Sequence, residues 1–417
     1  MNERKSTVIP WISDIPVHWI ECRIKDIGTA RNGLTYKPEE LVDKNNGIIV
    51  LRSSNIQDSK LCFEDNVYVA TVSEELKIRK NDIIICSRNG SVSLVGKCAI
   101  VENDIDATFG AFMMRFRTSH HNRFSYYLLQ STISAYKGIF GTTTINQLTT
   151  SVFGNMLTCL PPYKEQEAIA TYLDKECEKI GRRIALLERK SDAYRRLRRS
   201  LINRAVTRGL NPNVPLKSSG LRWNALVPEH WEMGRVRNFF EYRNEKVSES
   251  DFAPLSVTRN GVVPQMENVA KSLAEGDTRK RVCRNDFVVN SRSDRKGSCG
   301  TSPFDGSVSL IYIVLKPKDI SPEFVDYYFR CNDWVEEFYR NGKGIVADLW
   351  TTNYAIMRNI EIALPPIEEQ RAIAAYLDEK CSKIDAIVEK INTQIERLKE
   401  LKRSLINEVV TGKRAIN

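Results

Sequence analysis

A run of fifteen residues occurs twice in this chain, and the repetition constrains the fold more than any local pattern. Leu160 to Asp174, Leu-Pro-Pro-Tyr-Lys-Glu-Gln-Glu-Ala-Ile-Ala-Thr-Tyr-Leu-Asp, returns 204 residues later from Leu364 to Asp378 as Leu-Pro-Pro-Ile-Glu-Glu-Gln-Arg-Ala-Ile-Ala-Ala-Tyr-Leu-Asp. Downstream at the same offset, Cys177 matches Cys381, Lys179-Ile180 matches Lys383-Ile384, and Arg199–Asn203 matches Arg403–Asn407. Upstream, Lys80-Asn81-Asp82 and Ser87-Arg88 recur as Arg284-Asn285-Asp286 and Ser291-Arg292. The openings pair at an offset of 212, Trp11…Pro16…His18-Trp19 with Trp223…Pro228…His230-Trp231. Solenoid repeats run to roughly 20–50 residues. A period near 200 means two copies of a whole domain, each with its connector.

The length of 417 residues suits two such copies, and 42% hydrophobic content is enough for real cores. No run approaches the ~20 apolar residues that a membrane span needs. Met1–Lys5 lacks the apolar stretch of a signal peptide, and a cytoplasmic protein is expected. The ten cysteines are scattered singly, with no Cys-x-x-Cys, which argues against a zinc ribbon or a thioredoxin-type site and for reduced thiols. A formal net charge of +10 and a pI near 9.0 point to a polyanionic partner, of which nucleic acid is the commonest.

Each fifteen-residue run opens a long helix. The Pro161-Pro162 pair marks its start, because proline cannot sit in a helix interior. Glu165 and Glu167 lie in the first turn, where carboxylates complement the helix dipole. Gly209 and Asn211-Pro212-Asn213 mark the stop. The second copy shows a heptad seam best: Ile384, Val388, Ile391, Ile395, Leu398, Lys402, Leu405 and Val409 alternate steps of four and three. In the same register the first copy reads Ile180, Ile184, Leu187, Ser191, Tyr194, Arg198, Leu201 and Ala205, a more polar seam. Each helix would run ~60 Å at 1.5 Å per residue, longer than a domain of this size is wide. Two such helices most simply pair with each other. With a whole domain between them either orientation is open. The antiparallel one, expected here, would carry the domains to opposite ends and act as a ruler.

Before each helix lies a stretch of strand-like runs and turns. Gly47–Arg52, Asp82–Cys86 and Val95–Val101 are β-rich in the first copy, and helical segments come late, around Ser125–Tyr136 and Pro322–Tyr339. The fold class is therefore α/β in the mixed, α+β sense: two similar globular domains, with an internal pseudo-two-fold repeat, separated by two long paired helices. The expected boundaries are 1–159 and 214–363 for the globular domains, with 160–213 and 364–417 as the helical regions. The frame is nearly the same in both copies, whereas Gly90–Arg117 and Asp294–Leu315 hardly match. One frame with two surfaces suggests that two different things are read.

Basic and amide residues in turns suit DNA, because Arg and Lys bind phosphate or guanine edges, Asn and Gln read adenine, and Ser or Thr position the backbone. In the first domain the candidates are Arg52, Ser54, Asn55, Arg88, Asn89, Thr143 and Asn146. In the second they are Arg259, Asn260, Arg279, Lys280, Arg292, Arg295, Lys296 and Lys343. Arg88 and Arg292 stand out because both follow a strand and a serine at matching positions. A shared residue suits phosphate or structure better than specificity.

The sequence carries little that resembles catalytic chemistry. Leu160-Pro161-Pro162-Tyr163 resembles the Asn/Asp-Pro-Pro-Tyr segment of amino-methyltransferases, but leucine replaces the residue that would hold the target amino group, and Ile367 replaces the aromatic in the second copy. Gly90 to Cys98 resembles a phosphate loop with five residues between its glycines instead of four, and with cysteine where Ser or Thr would bind magnesium. Of the four histidines, His18 and His230 sit in Pro-x-His-Trp turns, where packing accounts for them, and His120-His121 has no spaced ligand partner. The chain does not read as an enzyme, and no metal site is expected.

The duplicated Leu-Pro-Pro-x-x-Glu-Gln-x-Ala-Ile-Ala-x-Tyr-Leu-Asp motif, the Arg-Ser-Leu-Ile-Asn helix ends and the Trp…Pro…His-Trp openings resemble the specificity subunits of type I restriction–modification systems, over nearly the whole chain. The resemblance implies two target recognition domains, each reading one half of a split, asymmetric DNA sequence, held apart by helices that fix the spacer. It further implies two docked methyltransferase subunits that bring S-adenosylmethionine chemistry, and restriction subunits that use ATP and Mg2+, with none of these cofactors on this chain. The motif residues carried over, with a framing and docking role, are Leu160, Pro161, Pro162, Glu165 and Gln166, and Leu364, Pro365, Pro366, Glu369 and Gln370. The competing reading is a non-enzymatic coiled-coil scaffold that lacks sequence-specific DNA binding.

Overall fold

The run Ile83–Cys86 is a strand with no polar face, and that fact organises the first domain. Side chains alternate across a strand. Ile83 and Ile85 enter one core, with Phe116, Phe124 and Leu128, while Ile84 and Cys86 enter a second core with Leu51, Phe109 and Met113. A strand covered on both faces reads as a continuous apolar run. The strand lies inside a four-stranded antiparallel sheet, between Cys98–Ile100 on one side and Met113–Thr118 on the other, with Gly28–Asn32 at the far edge. One face packs on the helix Asn122–Ile139, and the other covers a three-stranded sheet of Ala107–Phe109, Ile48–Leu51 and Val67–Val69.

The structure, a computed structural model, describes residues 3–139, 147–265, 278–343 and 351–416. By contacts it divides into two units, residues 1–186 with 394–417 and residues 187–393. The second unit repeats the plan. Phe240–Arg243, Ile313–Pro317, Phe287–Val289 and Cys299–Thr301 form its four-stranded antiparallel sheet, and Phe287 and Val289 face one core while Val288 faces the other. The late helical stretch differs between copies. Pro322–Tyr339, expected to be helical, forms two helices, Pro322–Arg330 and Asn332–Arg340, separated at the extended Cys331 (ψ 148°). Past the break, Trp334 joins an aromatic cluster with Trp223 and Phe329.

The long helices run Tyr163–Arg208 and Ile367–Val410. Each unit takes half of each. In the first unit Ile169 and Leu173, near the start of one helix, share a core with Leu405 and Val409, near the end of the other. In the second, Ala205 and Val206 share a core with Ile373 and Leu377, and Arg198 pairs with Asp385 at 3.1 Å. Within each unit the halves are therefore antiparallel. The heptad seam is visible in the burial: Ile384, Ile391, Ile395, Leu405 and Val409 are buried, and Val388 and Leu398 are half-buried. On the first helix Ile180, Ile184, Leu187, Tyr194 and Leu201 are half-buried, and Ser191 is fully buried with its hydroxyl unpaired. Among the described residues no helix is long and apolar enough to cross a membrane.

Candidate nucleic-acid interface

The duplicated residues build the frame on which any interface stands. Glu165, in the first turn of its helix, lies 2.9 Å from His18 Nε2 through Oε2 and accepts from Trp19 Nε1 at 3.1 Å through Oε1. Glu369 makes the same two contacts with His230 (2.7 Å) and Trp231 (3.3 Å). Gln166 and Gln370 are buried. Their amides donate to Pro161 O and Pro365 O and accept from the backbone N–H of His121 and Ser321, at the start of each domain's late helix. Leu160, Pro161, Leu364 and Pro365 are buried beside them, while Pro162 and Pro366 face solvent.

The end of the opposite helix closes each buckle. Gly209, at φ +72°, would put a Cβ 2.6 Å from Glu369 Oε1, and Gly412, at φ +66°, would put one 2.7 Å from Pro16. Left-handed backbone and lack of room both demand glycine there. Asn81 and Asn285 also adopt positive φ, and the aspartates after them, Asp82 and Asp286, are buried and hold Arg117 and Arg243 in bidentate pairs. The repeated Asn-Asp is thus a turn that launches the central strand.

The candidate DNA contacts separate into exposed and internal ones. Asn55 is 1% exposed, accepts from Arg52 N and donates to Cys62 O and Asn66 Oδ1, so it stabilises its own turn and has no face left to read a base. Lys280, expected at DNA, is internal as well. It is 2% exposed, with its ammonium on Tyr242 Oη (3.0 Å) and Tyr312 O (2.7 Å). Arg279 is half-buried and donates to Ser307 Oγ and O. Burial holds its guanidinium below the usual arginine range. Arg52 is paired with Asp65 at 2.8 Å.

Around Arg88 the first domain keeps an accessible surface. Asn89 Nδ2 donates to Ser53 Oγ at 2.9 Å, which brings the turn holding Arg52 and exposed Ser54 beside the Arg88 strand end. Arg88 is exposed, lies 5.2 Å from the ring centre of Phe112, and bridges to Gln147. In the second domain Arg292 bridges to Thr351, which also bridges to Lys343; Arg259 donates to Lys296 O; and Arg295 stands near Asp294, the partner of Arg292. Arg259, Asn260, Arg292, Arg295 and Lys343 are exposed, and Lys296 is paired with Glu336. Thr143 and Asn146 lie outside the described residues. Phe112, 57% exposed, escaped the sequence reading, because nothing in Gly110-Ala111-Phe112 distinguishes an outward phenylalanine from a core one.

The family model described as "Type I restriction modification DNA specificity domain" matches residues 16–189 and 228–397. The type I restriction enzyme EcoKI specificity subunit of Escherichia coli K12 is 24% identical, covering 95% of this chain and 89% of its own length. The StySPI specificity subunit of Salmonella potsdam is 23% identical, with the same coverage of 95% and 89%. A solved structure from work on complex assembly and conformational transition in the type I R-M system superposes with a TM-score of 0.69 at 16% identity, over 96% of this chain and 99% of that one.

Proposed function

The chain belongs to the type I restriction–modification DNA specificity family, and from that premise we propose that it selects the DNA sequence on which a methyltransferase and restriction assembly acts. Each domain reads one half of a bipartite, asymmetric site, and the paired helices set the spacer. The observation that carries this reading is the contrast within the repeat. Glu165 and Glu369, with Gln166 and Gln370, make the same bonds in both copies, whereas the exposed surfaces around Arg88 and Arg292 are built from different residues. Arg88, Ser54 and Asn89 in the first domain, and Arg259, Asn260, Arg292, Arg295 and Lys343 in the second, form the DNA-facing sets. Phosphate contacts position a protein on the duplex and base contacts specify. The matched arginines suit the first role and the unmatched residues around them the second.

The chain itself is non-catalytic in this proposal and carries no cofactor. Two methyltransferase subunits dock on the exposed faces of the long helices and bring S-adenosylmethionine, and restriction subunits bring ATP and Mg2+. Since Glu165, Gln166, Glu369 and Gln370 are engaged inside the chain, docking falls to exposed neighbours such as Pro162, Tyr163 and Pro366. Exchanging residues 229–363 for the matching segment of a relative with a different target tests the proposal. One half-site should change and the other should stay. Alteration of both halves, or of neither, in a folded chimera would contradict it.

A further inference from the structure

Each domain holds a large apolar side chain out in solvent beside the arginine that the two copies share. In the first, Phe112 is 57% exposed, although Met113 and Met114 after it are fully buried. Its carbonyl accepts from Ser87 N at 2.9 Å and Arg88 N at 3.1 Å, which pins it to the end of the central strand. The Arg88 guanidinium lies over its ring, 5.2 Å from the centre. In the second, Ile311 is 49% exposed, and its carbonyl accepts from the Ser291 hydroxyl at 2.8 Å, next to Arg292. Strand register makes the two positions equivalent. Met114 faces Ile85 and Ile313 faces Val289, and Ile85 and Val289 each come three residues after the buried aspartate of the Asn-Asp turn. Two residues back from Met114 and Ile313 stand Phe112 and Ile311.

Single exposed apolar residues are ordinary on a protein surface. Here exposure is kept at one place in both copies while the side chain changes from a ring to a branched chain. Core packing does not demand it, since Met113, Met114 and Ile313 fill the cores instead. The neighbouring charge points to the partner. Arg88 and Arg292 are exposed cations on a chain of net charge +10, so the surface that carries Phe112 and Ile311 suits phosphate. What a phenylalanine and an isoleucine share is apolarity, not flatness, so a base stacked on a flat platform does not account for both. Nor does the ring suit a wedge between base pairs, because the guanidinium covers one of its faces. The apolar group on a base edge is the 5-methyl of thymine, in the major groove, and a methyl packs on a ring rim or on a branched chain alike.

Given the DNA-reading role proposed above, on which this assignment rests, we infer that Phe112 and Ile311 are specificity-determining residues. Each covers the 5-methyl group of one thymine, Phe112 in one half-site and Ile311 in the other, while Arg88 and Arg292 hold the adjacent backbone. Cytosine at that position offers no methyl and is discriminated against.

The test uses the full chain in complex with a type I methyltransferase subunit, on a DNA site selected from a random pool. Each thymine of that site, on either strand, is replaced in turn by deoxyuridine, which removes the methyl and keeps the base pair. One replacement in each half-site is expected to weaken binding about fourfold, the worth of one buried methyl. Phe112→Ala should bind thymine and uracil equally at one of these positions and still distinguish them at the other. Ile311→Ala should do the reverse, and Phe112→Leu should keep the discrimination. The uracil series on the unsubstituted chain decides the matter even if an alanine variant does not assemble. Binding that no replacement weakens would rule out the methyl contact while the bipartite site stands. A Phe112→Ala complex that loses affinity yet still distinguishes uracil from thymine at every position would make Phe112 a sugar contact or a structural residue, and overturn the assignment too. A complex that selects no sequence would overturn the DNA-reading role itself, and this assignment with it.

Discussion

Glu369 shows how much a single side chain can hold. One carboxylate accepts from Trp231, whose ring is 1% exposed, lies beside His230, and sits where any side chain at Gly209 would collide with it. Removing it strands a buried indole N–H. Glu369→Ala should therefore lower the unfolding free energy of the second unit by about 1–3 kcal/mol, read from urea midpoints, with Glu369→Gln losing less because it keeps an acceptor. That this glutamate mattered was legible from its duplication. Its partners were not, because they lie far away in the chain and only the fold joins them. Basic residues misled for a related reason. Arg279-Lys280-Arg281 reads as a basic patch, but it lies in a strand, Arg279–Val282, whose alternation turns Lys280 inward with Val282. Lys280→Ala should destabilise the second unit by about 1.5–3 kcal/mol, the range for hydrogen bonds from a charged group. Arg292→Ala should leave unfolding unchanged, weaken DNA binding, and reduce the slope of log affinity against log salt by about one if it meets a phosphate. The reverse pattern would misplace both residues.

The long helices were the elements most legible in sequence, and the reason is local. Heptad spacing, the Pro-Pro start and the Gly209 stop all act over a few residues, and the observed bounds, Tyr163–Arg208 and Ile367–Val410, follow them closely. Ser191 and Arg198, which look like defects in the seam, are accommodated differently: the serine is buried with an unpaired hydroxyl, and the arginine reaches Asp385. The break at Cys331 was not legible, because Asn332-Asp333 can start a helix as readily as continue one. If the helices set the spacer, length is the variable that matters. Removing one heptad from each, Leu187–Ala193 with Val388–Gln394, shortens the pair by about 10 Å. The preferred spacer between half-sites should change by about three base pairs, measured by binding to a series of spacer lengths. An unchanged preference in a folded variant would remove the ruler from the account.

At the scale of the molecule the repeat has been used in two ways. Where the copies agree, side chains bind to one another: Glu to His and Trp, Gln to a proline carbonyl, Asp to Arg. Around Arg88 and Arg292, by contrast, the exposed residues differ from one copy to the other. Duplication, basic charge and helix pairing were visible before any coordinates, because repetition and periodicity are properties of sequence. The sorting of exposed from buried arginines and amides was not, since it depends on which loops the sheets bring together. The most direct measurement is to co-express the chain with a type I methyltransferase subunit, purify the complex and select bound DNA from a random pool. A bipartite, asymmetric consensus with a fixed spacer is the expected result. A complex that forms yet enriches no sequence would contradict the account and leave the paired helices as a scaffold without a reader.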